Sequence, residues 1–98
     1  MTHFDRRPLD VNVRWRRAEA TLWRRTLGGV VVLPVDLPAP LELRGPAAGI
    51  WELLALPMTV RELLDAIATT YAVDRDAVAD EVGEAIEALA DAAALCRL

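Results

Sequence analysis

Two hydrophobic periods divide the chain. From Ala20 to Thr26 the residues alternate, with Leu22 and Arg24 on one side and Trp23 and Arg25 on the other, a two-residue repeat with strand-favouring Thr, Leu and Trp. Gly28-Gly29 supplies residues free to take positive φ, and Val30-Val-Val-Leu33 resumes a β-branched run, so the pair predicts a hairpin. Pro34, Pro38 and Pro40 forbid regular ladder pairing and predict a loop from Pro34 to Pro40. Leu41-Glu-Leu-Arg44 restores alternation as a third short strand, stopped by Gly45-Pro46.

Beyond Pro46 the period is helical. Pro46 suits the first turn of a helix, where its missing N–H is no loss, and Ile50, Trp51, Leu53 and Leu54 give about ten residues an apolar face before Pro57. Thr59-Val-Arg-Glu62 has the spacing of a capping box and opens a second helix, with Val60, Leu63, Leu64, Ile67 and Tyr71 inward, ending near Ala72. Asp74 predicts the next N-cap. Val78, Val82, Ile86, Leu89 and Ala93 then continue at helical spacing, predicting a third helix of about twenty residues. Its opposite side carries Asp80, Glu84, Glu87 and Asp91, with Glu81 between the two faces. Three strands followed by three helices predict an α+β fold of winged-helix-like order, a three-stranded antiparallel sheet beside a helical layer. Residues 1–17 read as an N-terminal arm and residues 18–98 as one domain.

Composition narrows the chemistry. The 98 residues include one Cys, one His, no Ser and no Lys; all eleven bases are Arg. A serine nucleophile, a lysine Schiff base, a P-loop lysine, an internal disulfide and a multi-His or multi-Cys metal centre therefore lack their parts. The expectation is a binding module, not an enzyme, with no cofactor and no metal. Cys96 reads as a small hydrophobe near a helix end. Met1 to Leu9 carries Asp5, Arg6 and Arg7 where a secretory signal needs an apolar stretch, and the longest apolar run, Leu27 to Val35, is far short of the roughly 20 residues that span a bilayer. A cytoplasmic protein without membrane contact is expected.

The net charge of −4 hides an imbalance: residues 1–45 hold eight Arg and five acids, and residues 46–98 hold three Arg and ten acids. Arg14-Trp-Arg-Arg17 and Trp23-Arg-Arg25 mix bases with aromatics, as a nucleic-acid surface would. The third helix, the groove-reading element of a winged helix, argues against it: Asp74 to Asp91 holds seven acids and one Arg, a stretch repelled by phosphates. No nucleic-acid partner is expected.

The succession of small blocks Gly29-Val-Val-Val-Leu33, Leu41-Glu-Leu-Arg-Gly45, Ala48-Gly-Ile-Trp-Glu-Leu-Leu54, Met58-Thr-Val-Arg-Glu-Leu63, Tyr71-Ala-Val-Asp74 and Asp80-Glu-Val82 resembles the PqqD-like family, also called RiPP recognition elements. The resemblance runs over about residues 20–96. It implies three strands followed by three helices and a non-catalytic role: capture of the leader segment of a ribosomally made precursor peptide, presented to a modifying enzyme such as a radical-SAM protein, a protease or a cyclase. The leader would add to the edge of the third strand and pack on the third helix, a case of β-augmentation. Carried onto this chain, the resemblance places the leader on Leu41, Glu42, Leu43 and Arg44, against a wall drawn from Val78, Glu81, Val82, Ala85, Ile86 and Leu89. The same helical positions have the spacing of ordinary core. Arg44, Glu81 and Ala92-Ala-Ala94 stand where the family often has Asn, Asp and a Gly; the last departure suggests a longer final helix. Two other readings fit the same order of elements: a winged-helix DNA-binding regulator and a protein-only adaptor subunit.

Overall fold

The structure, a computed structural model, describes residues 10–35 and 38–98. The arm's first nine residues, His3 among them, and residues 36–37 of the proline loop lie outside the described residues. The element order is β1 (Arg14–Arg17), β2 (Leu22–Thr26), β3 (Gly29–Leu33), β4 (Leu41–Leu43), α1 (Pro46–Leu53), β5 (Met58–Thr59), α2 (Val60–Tyr71), α3 (Arg75–Asp91) and β6 (Leu95–Arg97). The fold is α+β, with two small antiparallel sheets of three strands and three helices.

The β2–β3–β4 sheet is the alternating region of the sequence. Thr26 pairs with Gly29, so Leu27-Gly28 makes the turn and Gly29 belongs to β3. Gly29 takes a positive φ, +156°, as expected of the pair, and a Cβ there would also collide with the Leu43 carbonyl oxygen across the sheet. The registers Leu22 with Leu33, Arg24 with Val31 and Val31 with Glu42 put those residues on the outer face. Trp23, Val32 and Leu41, then Arg25, Val30 and Leu43, point to the helices. Val30 and Val32 are buried, whereas Leu22 and Leu33 are exposed.

Gly45, at φ +56°, turns the chain into α1 with Pro46 in its first turn. The capping box of α2 is complete: the Glu62 N–H donates to Thr59 Oγ1 at 3.1 Å and the Thr59 N–H to Glu62 Oε1 at 2.8 Å. Asp74 stands at the N-cap of α3, but its side chain accepts no capping bond. The core joins Val30, Val32 and Leu43 to Ile50, Trp51, Leu54, Val60, Leu63, Ile67, Val82, Ile86 and Leu89. Each large aliphatic side chain so buried contributes about 1.5–3 kcal/mol. Tyr71, expected on the inner face of α2, is exposed because it closes the last turn.

The second sheet, ordered β5–β1–β6, was not expected. Arg14–Arg17, the end of the expected arm, pairs with Met58-Thr59 on one side and with Leu95–Arg97 on the other. The arm carbonyls also complete α2: Val60 N–H donates to the Val13 oxygen at 3.0 Å and Arg61 N–H to the Val11 oxygen at 2.9 Å, satisfying donors that a helix start leaves free. At the other end α3 stops at Asp91, so the alanines do not lengthen it. Ala93, at φ +58°, takes the left-handed turn that usually belongs to glycine; its N–H donates to the Ala90 oxygen at 2.9 Å and the Ala94 N–H to the Leu89 oxygen at 2.9 Å, a Schellman closure. Ala92 and Ala94 are buried and Ala93, placed inward by the periodicity, is exposed. Cys96 is half-buried within β6, not at a helix end.

Candidate functional site

The residues assigned to a leader site divide by exposure. Leu43, Val78, Val82, Ala85, Ile86 and Leu89 are buried members of the core. Leu41 is half-buried, while Glu42, Arg44 and Glu81 are exposed. The helical wall is therefore largely committed to packing. α3 leans on α2, α1 and β6, and β4 on β3. On the strand side, β4 is hydrogen-bonded to β3 along one edge only and ends the sheet, so its other edge carries backbone N–H and C=O groups unpaired within the sheet. Arg44 follows the strand without belonging to it; its guanidinium lies 3.8 Å from Glu42, both side chains largely in solvent. Around the end of β4 a cleft of about 320 Å³ is lined by Thr26, Leu27, Gly28, Val30, Val31, Glu42, Leu43 and Arg44.

A second constellation escaped the sequence reading. Arg17 of β1 reaches the end of α1, donating from Nε to the Trp51 carbonyl at 2.9 Å and from Nη2 to the same oxygen at 2.5 Å, with a longer bond to the Glu52 carbonyl at 3.4 Å. α1 has no base in its last turn, and the Arg17 charge stands where its dipole is negative. The same guanidinium sits 4.5 Å from the Trp23 ring centroid and 4.8 Å from that of Trp51. The two indoles meet edge to face at 6.0 Å. Burial pulls the Arg17 pKa down, against the pull of Glu52. Arg25 clasps Glu52 through two bonds, 2.5 and 2.8 Å, which hold the Glu52 carboxyl below its ordinary pKa and raise that of Arg25. The indole N–H of Trp51 is buried and has no acceptor among the described residues. Of the basic and aromatic residues that suggested a nucleic-acid surface, Arg17, Trp23 and Arg25 are thus spent on one another and on Trp51 and Glu52 of α1. A helix end without its own base was the available signal, but nothing in the sequence said that Arg17 would supply it.

Among the described residues no group of His, Cys, Asp and Glu could hold a metal ion, and no helix is long and apolar enough to cross a membrane.

The open β4 edge falls inside the segment, residues 29–95, that matches the PqqD family, described as coenzyme PQQ synthesis protein D. The match takes in β3, β4, all three helices and the start of β6. The chain belongs to the PqqD family. No curated protein and no solved structure matches it.

Proposed function

We propose that this protein is a non-catalytic recognition domain of peptide natural-product biosynthesis, which binds the leader of a ribosomally made precursor by strand addition and presents it to a maturation enzyme. The observation that carries the reading is the free edge of β4, inside the family-matched segment. The leader backbone pairs along Leu41 to Arg44, where main-chain hydrogen bonds supply affinity. Because Val78, Val82, Ala85, Ile86 and Leu89 are core, the side chains left to read the leader are Leu41, Glu42, Arg44 and Glu81 together with the lining of the cleft at the end of β4. A recognition strand of this kind needs neither nucleophile nor cofactor, in keeping with the missing Ser and Lys.

The test is fluorescence anisotropy with labelled peptides encoded near the gene, followed by a scan that N-methylates each amide of the bound one. Strand addition makes every second methylation damaging, because alternate N–H groups face β4. Equal tolerance at all positions sinks the reading.

A further inference from the structure

Among the described residues, nothing covers the outer face of the β2–β3–β4 sheet. Its apolar members are Leu22 (68% exposed), Leu33 (46%) and the half-buried Val31, extended past the end of β3 by Val35 (69%). Across its middle runs one row of three residues in register, Arg24, Val31 and Glu42, with the base on β2, the acid on β4 and the valine on the central strand. Arg24 makes no ion pair among the described residues, and Glu42 has only the loose contact with Arg44 at 3.8 Å.

We propose that two copies of this chain associate face to face through this surface. The row is antisymmetric about β3, and that is what selects a second copy as the occupant. A two-fold axis lying along β3 sets Val31 over Val31 and Leu33 over Leu33. The same rotation exchanges the flanking strands, so each Arg24 stands over the other copy's Glu42, and Leu22 stands over the segment that precedes β4. Apolar side chains thus meet along the axis and opposite charges meet on both sides of it, as an isologous interface demands. Twisted sheets pack in this way with strands within about 30° of one another. The association covers the face, Val31 and Glu42 of the cleft lining included, and leaves the backbone edge of β4 open.

Area sets the strength. Strands of five, five and three residues present at most roughly 14 by 17 Å, well under the roughly 800 Å² per partner of a standard stable interface. The dimer is therefore a weak one, populated only at high protein concentration.

Sedimentation velocity on the full chain, from about 10 µM to about 1 mM, reads it directly. The weight-average sedimentation coefficient should climb from monomer towards dimer. Arg24→Glu and Glu42→Arg each place like charges opposite one another twice per dimer and should weaken association about tenfold. The double variant, Arg24→Glu with Glu42→Arg, restores both pairs and should recover it. Both side chains are exposed, and circular dichroism verifies that each variant is folded. A monomer at every concentration overturns the proposal, as does a dimer that ignores the single reversals or a double variant no better than the singles.

Discussion

The two sheets are equal in strand number and opposite in construction. The β2–β3–β4 sheet is made from neighbours in sequence, joined by a two-residue turn and one loop, and ends in a free edge at β4. The β5–β1–β6 sheet gathers three remote segments and places β1, the piece nearest the chain start, in the centre. The first sheet can be read locally and leaves one edge of backbone unpaired within the sheet. The second ties the arm to the start of α2 and the end of α3, and Arg17 extends that tie to the end of α1. The tie between chain segments and the proposed recognition edge thus lie on different sheets, although both sheets pack on the core.

The largest separation of the two should come from Arg17→Leu. It removes charge-assisted bonds to the Trp51 carbonyl and the stacking on two indoles, for an expected loss of about 2–3 kcal/mol. Urea unfolding measures the loss, and leader affinity at β4, taken where the variant is folded, should stay within about twofold. Equal damage to binding would break the division of labour between the sheets. Ala93→Gly works in the other direction: relief of the left-handed alanine between α3 and β6 should stabilise by about 1 kcal/mol. An unchanged urea midpoint would show that the turn carries no strain.

The smallest effect expected is with acid. Arg25 holds the Glu52 carboxyl below its ordinary pKa, and the Thr59 N–H does the same for Glu62. A depressed folded-state pKa stabilises the fold above the unfolded value of about 4.3, and the benefit disappears as pH falls through the folded value. The difference in urea midpoint between the parent and Glu52→Gln should therefore be present at neutral pH and close below about pH 4. A gap that widens in acid would contradict the assignment.

Legibility follows the same division. Alternation located β2, β3 and β4, and the Thr59–Glu62 spacing located the start of α2 because both bonds of the capping box are local. β1 was hidden because Arg14-Trp-Arg-Arg17 owes its strand to residues 58–59 and 95–97, which no local pattern names. β6 was hidden by three alanines that favour helix; burial of Ala94 and Leu95 and pairing with β1 outweigh the cost of about 1–2 kcal/mol of turning at Ala93. In the candidate site the strand edge was readable. Periodicity alone does not separate a groove wall from core, and the structure assigns most of the α3 positions to core.

The pairing of Trp15 with Arg97 also sets an order in time. A chain extended one residue after another can form the β2–β3 hairpin, add β4 and fold α1 onto α2 while its last segment is still missing. β1 must wait with half its partners absent, and the loop closed by its union with β6 is far longer than those that close the β2–β3–β4 sheet. The free edge of β4 can thus exist before the clamp closes, because the union of β1 with β6 waits for residues 95–97.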